Sequence, residues 1–146
     1  MKKYLSVILA AILFVSIFSS CKKSDETKTP FDVKAEEVFT VKVSMNDSGS
    51  FNSMALTIYS DDEAFDIIDG KWLNQQAVIA DFNKENKDAA IAFKEETNYC
   101  GEIFEFTVKS KKDLTIIDNM FEVEPIIKNE QGKINCEGIT LSYAKN

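Results

Sequence analysis

Residues 38–45 read Val38-Phe39-Thr40-Val41-Lys42-Val43-Ser44-Met45, with a large apolar side chain at every second position from Phe39 onward. Successive side chains of a β-strand point to opposite faces, whereas an amphipathic helix repeats its apolar positions every three or four residues. A spacing of two therefore predicts a strand that buries one face and exposes the other.

The same spacing recurs along the rest of the chain, interrupted by turn-forming residues. Apolar alternation or short apolar runs occur in residues 54–58, 65–68, 77–82, 89–93, 104–108, 114–123 and 139–143. Polar clusters such as residues 46–50 and 83–88 separate these segments and are typical of turns. No segment has a sustained helical stripe. About nine short strands with this spacing predict an all-β sandwich of two facing sheets.

The composition limits the classes of function. The chain has 17 basic residues, all of them lysine, against 24 acidic residues, and a net charge of −7. This balance argues against nucleic acid as a partner, because phosphate neutralisation needs clustered Lys and Arg. The sequence has no histidine, which excludes His-based catalytic triads and His metal ligands. We therefore expect a protein that is not an enzyme and uses no metal or cofactor.

The N-terminus has the layout of an export signal. Lys2-Lys3 precedes an almost wholly apolar run over residues 4–18, which is shorter than the about 20 residues of a membrane-spanning helix. Phe18-Ser19-Ser20-Cys21 resembles the bacterial lipoprotein signal, in which the cysteine is acylated and becomes the mature N-terminus. The resemblance implies a signal peptide over residues 1–20, lipidation at Cys21, and an exported protein anchored to the bacterial outer membrane or cell surface. The alternative is an ordinary signal peptide with a chance cysteine.

The segment after the cysteine differs in composition from the rest. Residues 21–35 are mostly polar, rich in lysine and acidic residues, and contain Pro30. Such a composition predicts a flexible tether, here between the lipid anchor and a single domain over residues 36–146.

Two cysteines remain once Cys21 is set aside. Cys100 and Cys136 form an even pair, and such pairs in exported proteins often form a disulfide. The alternative is that both are small buried hydrophobic residues.

The order of the predicted strands resembles the cohesin domain, a nine-stranded jelly-roll β-sandwich related to some bacterial carbohydrate-binding domains. The segments that carry the resemblance are residues 38–43, 51–61, 65–70, 89–93 and 101–109. The second ends in Tyr59-Ser60-Asp61, close to the family's Tyr-Asp pattern, and the last opens with glycine and continues with alternating large apolar residues. The resemblance covers residues 36–144. Cohesins are non-catalytic and bind dockerins, which are small calcium-loaded helical domains attached to enzymes.

The resemblance also implies a binding face. Cohesins bind their partner on the sheet formed by strands eight, three, six and five, to which we assign residues 65–68, 77–83, 89–94 and parts of 114–123. If Ile91 and Phe93 point inward, alternation turns their neighbours in this strand outward. The predicted partner-binding residues are Asp66, Asp81, Ala90, Ala92 and Lys94. The two alanines would form a flat patch that a partner helix can approach closely, and the alternative is an ordinary solvated face.

The predicted function is a membrane-anchored binding module for a dockerin-like protein partner. A polysaccharide is the alternative ligand, since Trp72 with Tyr59 or Tyr99 can stack on sugar rings. The competing interpretation is that Trp72 packs on the edge of the sandwich. A purely structural envelope lipoprotein is a third hypothesis. The acidic segment at residues 60–63 lacks the spacing of a calcium loop and is interpreted as a charged turn.

Overall fold

The computed structural model describes residues 29–46, 49–134 and 138–146, and these residues form eleven β-strands and no helix. The strands are β1 (Phe31–Val33), β2 (Val38–Met45), β3 (Ser50–Ser60), β4 (Phe65–Trp72), β5 (Ile79–Asn83), β6 (Asp88–Asn98), β7 (Gly101–Ser110), β8 (Leu114–Ile116), β9 (Phe121–Asn129), β10 (Gly132–Ile134) and β11 (Ile139–Lys145). The all-β prediction is confirmed. The count exceeds the predicted nine because β1 and β10 have three residues each, too few to show a clear alternation.

Two antiparallel sheets form a sandwich. One has five strands in the order β10-β9-β3-β6-β5, and the other has four in the order β11-β2-β7-β4. The short strands β1 and β8 pair with each other in a separate two-stranded sheet.

Apolar side chains at alternate positions fill the space between the sheets. In β2, Phe39, Val41 and Val43 are fully buried. Phe121 of β9 connects the two sheets, since its ring contacts one aromatic ring from each strand of the four-stranded sheet. These rings are Phe65 at 4.8 Å, Phe106 at 5.7 Å, Phe39 at 6.1 Å and Tyr143 at 6.2 Å between centroids.

The folded part begins earlier in the chain than residue 36, so the prediction of a tether as far as residue 35 is wrong. Val33 of β1 is 1% exposed, and the ring of Phe31 lies edge-on to Phe39 at 6.0 Å. The Ala35 N–H donates to Asp113 Oδ1 at 2.8 Å, which ties this segment to the loop before β8. Two apolar residues around Asp32 are too short a pattern to identify a strand by sequence.

Gly70 allows β4 and β5 to approach each other at one side of the sandwich. A Cβ atom at this position would lie 2.7 Å from Cζ of Phe104 and 2.9 Å from Cγ of Phe82. Phe82 belongs to β5 of the five-stranded sheet, and Phe104 is fully buried in β7. Only glycine fits between these two rings without displacing one of them.

The substitution Gly70→Ala should therefore destabilise the fold. Forcing a methyl group against a buried ring typically costs about 1–3 kcal/mol, so we expect a lower midpoint in urea denaturation. Lys71→Ala, at the next position, serves as a control because the lysine side chain is 66% exposed. Equal midpoints for Gly70→Ala and the unchanged protein would contradict the close approach.

Candidate binding face

The outer surface of the five-stranded sheet carries a flat patch of small and apolar side chains. Ala55 of β3 lies directly opposite Ile126 of β9 on one side and Ala90 of β6 on the other. Ala92 lies opposite Ile79 of the edge strand β5. Residues directly opposite one another in a sheet present their side chains on the same face. Ile126 and Ile79 are 39% and 57% exposed. We call these five residues the alanine face.

The side chains of β6 alternate as the sequence pattern predicts. Ile91 is 3% exposed, and Phe93 packs against the core with its ring 5.7 Å from that of Phe51. Ala90 and Lys94 are exposed and Ala92 is partly exposed. The strand therefore contributes two alanines to the outer surface.

A shallow concavity of about 330 Å³ adjoins the alanine face. Ala55 and Ala90 line it together with polar side chains from β3, β5, β6 and the turn after β5. These polar residues are Thr57, Asp81, Asn83, Asn86 and Asp88. The small alanine side chains leave this volume open, and the carboxylate and amide groups line it.

Charged side chains of opposite sign border the alanine face at its two ends. At one end, Asp88 and Glu124 both lie opposite Thr57. At the other end, Lys128 lies opposite Ser53, and the exposed Lys94 lies two residues after Ala92 in β6. A partner with the reverse distribution of charge would meet complementary groups at both ends.

The outer surface of the four-stranded sheet is different, because ion pairs occupy it. Lys42 Nζ lies 3.1 Å from Glu102 Oε2, and Lys71 Nζ lies 2.8 Å from Glu105 Oε1. Hydrogen bonding to Glu105 and its negative charge raise the pKa of Lys71. Charges on this sheet therefore interact with one another across neighbouring strands.

Asp66 does not belong to the face that the sequence predicts for it. It lies in β4, which pairs with β7 in the four-stranded sheet, and its carboxylate is 2.8 Å from Lys111 Nζ. The assignment of residues 65–68 to the binding sheet is wrong, because alternation identifies a strand but not the sheet that it joins. The structure brings the other four predicted residues, Asp81, Ala90, Ala92 and Lys94, onto the five-stranded sheet.

Ala55, Ile79 and Ile126 complete the face and were not among the predicted residues. Met54, Leu56 and Ile58 are the buried, inward-facing residues of β3, and Ala55 lies between the first two. That signal identifies Ala55 as outward-facing, but its neighbours in space depend on the strand order.

The three aromatic residues considered for sugar stacking do not form one platform. The half-buried Trp72 ring packs 5.0 Å from Phe104, and its Nε1 donates to the Asp81 carbonyl at 3.1 Å. Tyr99 borders a small apolar pocket with Trp72, and burial raises its pKa. Tyr59 lies on the other sheet, 48% exposed, and its hydroxyl donates to Glu124 at 3.1 Å, which raises the tyrosine pKa.

The acidic turn at residues 60–63 makes local interactions. Asp61 Oδ1 accepts a hydrogen bond from the Glu63 N–H at 2.9 Å. Asp62 forms an ion pair with Lys87, and this interaction lowers the pKa of the Asp62 carboxyl.

Cys100 is disulfide-bonded and precedes β7, while Cys21 and Cys136 lie outside the described residues. Gly101 and Ile139, the first residues of β7 and β11, both lie opposite Met45, on either side of β2. β7 and β11 therefore begin at the same end of the four-stranded sheet. The pairing of Cys100 with Cys136 stays a prediction, as does lipidation at Cys21. Over residues 29–46, 49–134 and 138–146, no helix is long and apolar enough to cross a membrane.

These features define an antiparallel β-sandwich with one ion-paired outer surface and one flat outer surface of small and apolar residues. Comparison with known proteins adds no relative, since no family model, no curated protein and no solved structure matches this chain.

Proposed function

We propose that this protein is a lipid-anchored, non-catalytic binding module whose alanine face docks a protein partner. The alanine face itself is the observation that carries the proposal. Its small side chains let the backbone of a partner helix come close to the sheet, and the flanking Ile79 and Ile126 offer exposed apolar area for burial.

The strand order supports a cohesin-like docking mode. When β1 is counted as the first strand and the short strands β8 and β10 are omitted, nine strands remain, and β9 is the eighth of them in chain order. This count makes β3, rather than the β4 segment assigned from the sequence, the third strand. The eighth, third, sixth and fifth strands are then adjacent in one sheet, in that order. This is the set of strands that forms the partner-binding face in cohesins. We therefore propose a dockerin-like helical domain as the partner.

The position of Trp72 favours a protein partner over sugar stacking on that residue. Its ring packs on Phe104 at the side of the sandwich, and its N–H is bonded to the Asp81 carbonyl. An aromatic side chain that binds sugar presents a free, flat face instead.

A polysaccharide is the second candidate ligand, and the concavity beside the alanine face is the observation that favours it. Asp81, Asn83, Asn86 and Asp88 line it, and their side chains offer donors and acceptors for sugar hydroxyls. In this alternative the sugar lies over Ala55 and Ala90 rather than on the predicted tryptophan.

Ala92→Arg tests the proposed docking surface, with the full chain purified in detergent micelles. We expect calorimetry against a panel of dockerin-bearing proteins to show binding that Ala92→Arg weakens at least tenfold, which is about 1.4 kcal/mol, because a long charged side chain then stands in the patch. The thermal midpoint should stay nearly constant, because the side chain points outward.

Thr107→Arg is the matched control, since it places the same side chain on β7 of the other sheet. Unchanged binding by a folded Ala92→Arg protein would show that the docking surface lies elsewhere. Binding of a polysaccharide panel, together with no binding of any dockerin-bearing protein, would replace the protein partner by the glycan alternative.

Membrane anchoring through Cys21 has its own test. We expect labelled fatty acid to be incorporated into the protein in bacterial cells, and the protein to separate with the membrane fraction. Cys21→Ser should abolish both the label and the membrane association, because the acyl chains provide the attachment. Persistent labelling of this variant would refute lipidation at this position.

A further inference from the structure

Over residues 29–46, 49–134 and 138–146, the sandwich is closed at one side and open at the other. At the closed side, the Trp72 N–H donates to the Asp81 carbonyl, and the Phe82 ring lies 5.8 Å from Phe104. At the other side a groove of about 750 Å³ runs between β9 and β11. We call it the β11 groove. Its apolar lining consists of Phe121, Val123, Ile139, Leu141 and Tyr143.

Within the described part of the chain, the backbone of β11 presents hydrogen-bonding groups to this groove that no other residue bonds. Asn46 and Gly138 form a hydrogen-bonded pair, since the Asn46 N–H donates to the Gly138 carbonyl at 3.2 Å. The next pair along the ladder is Met45 with Ile139. Directly bonded pairs alternate with non-bonded pairs in an antiparallel ladder. The N–H and C=O groups of Thr140, Ser142 and Ala144 therefore point toward β2. Those of Ile139, Leu141 and Tyr143 point away from β2, to the open side.

β11 also lacks the features that protect other sheet edges in this molecule. Natural edge strands are commonly blocked by charged side chains, proline or a bulge. β4 has a register shift after Ile67 together with Asp66 and Asp69, and the two edges of the five-stranded sheet, β5 and β10, carry Asp81 and Lys133. In β11, no charged residue or proline occurs before Lys145.

The groove has a negative rim. Asp118 and Glu122 contribute to its lining, and the Thr29 hydroxyl donates to Asp118 at 2.6 Å. Burial, followed by the charge of Asp118, raises the pKa of Tyr143. A basic group at the mouth of the groove would therefore be attracted to it.

We propose that the β11 groove binds an extended peptide that adds to β11 as a further strand. Its backbone bonds to the outward groups of Ile139, Leu141 and Tyr143, and apolar side chains at alternate positions fill the groove. A flanking basic residue pairs with Asp118 or Glu122. This site is separate from the alanine face and does not depend on the function proposed for that face.

The test uses the full chain in detergent micelles and the synthetic peptide acetyl-Lys-Val-Ser-Val-Ser-Val-Lys-amide. In the absence of peptide, amide hydrogen exchange measured by NMR should be fast at Ile139, Leu141 and Tyr143 and slower at Ser142 and Ala144. Saturating peptide should slow exchange at the first three amides at least tenfold. A peptide with serine in place of the three valines should bind at least tenfold more weakly, because it has no apolar side chains for the groove.

Two variants distinguish the groove from the rest of the four-stranded sheet. Leu141→Lys should weaken peptide binding at least tenfold, since it places a charge in the groove. Thr107→Lys, on β7 of the same sheet and absent from the groove lining, should bind within twofold of the unchanged chain. If Leu141→Lys does not fold, the proposal is still tested by the serine peptide and by the exchange pattern of the unchanged chain.

Three outcomes would overturn the proposal. One is equal binding of the valine and serine peptides, or unaltered exchange at Ile139, Leu141 and Tyr143 when peptide is bound. Another is slow exchange at these amides in the monomeric, peptide-free chain, which would mean that the chain's own residues cover the edge. The third is protection that rises with protein concentration, which would assign the edge to a second copy of the chain.

Discussion

Replacing Phe121 by alanine should lower the free energy of unfolding by about 3–5 kcal/mol, as large buried rings do when they are truncated. The ring is 3% exposed and touches rings from β11, β2, β7 and β4, so it joins the five-stranded sheet to every strand of the other sheet. The cavity left behind would remove contacts on both sides of the core. Urea denaturation followed by tryptophan fluorescence measures the loss.

Ile126→Ala is the matched control for this experiment. It lies on the same strand but on the outer surface, where it is 39% exposed, so its truncation should cost less than about 1 kcal/mol. Similar losses for the two substitutions would show that Phe121 does not hold the sheets together in the way described.

Removing the disulfide at Cys100 should lower the free energy of unfolding by about 2–4 kcal/mol. We infer that Cys136 is its partner, because Cys21 is the proposed lipidation site and the chain has three cysteines. The positions of residues close in sequence to the two cysteines support this pairing. Gly101 and Ile139 lie on either side of Met45, at one end of the four-stranded sheet. A link between residues 100 and 136 restricts the unfolded chain and so favours the folded state.

Cys100→Ala, Cys136→Ala and the double variant should all lose the same stability, because each removes the same bond. A reducing agent should lower the thermal midpoint of the unchanged protein but leave that of the double variant in place. Thiol titration of the denatured, unreduced protein would contradict the pairing if it found both Cys100 and Cys136 free.

The period-two pattern predicts strands well in this chain because each strand buries one face against the other sheet. Phe39, Val41 and Val43 are buried in β2, and Ile91 is buried between the exposed Ala90 and the partly exposed Ala92 of β6. The pattern weakens where a strand is very short. β1, with Phe31 and Val33 on either side of Asp32, therefore falls within a segment whose composition predicts a tether.

The function of an aromatic residue is not predictable from its type alone. Trp72 suits sugar stacking by its chemistry, yet in the fold it packs on Phe104 and bonds to the carbonyl of Asp81 in the opposite sheet. That contact exists because Gly70, two residues earlier, lets β4 approach β5. The close approach depends on residues that are distant in sequence.

The sequence alone establishes the longer β-strands and most of their inward and outward side chains, because both follow from local alternation along a pleated backbone. It also establishes the acidic, histidine-free composition and the export-like N-terminus. Strand neighbours are decided only in the tertiary structure, because pairing joins segments that are far apart in the chain. Asp66 therefore lies in the four-stranded sheet, whereas Ala55, between Ile126 and Ala90, lies at the centre of the alanine face. The open side beside β11 has the same origin, since a free edge is a property of the assembled sheet.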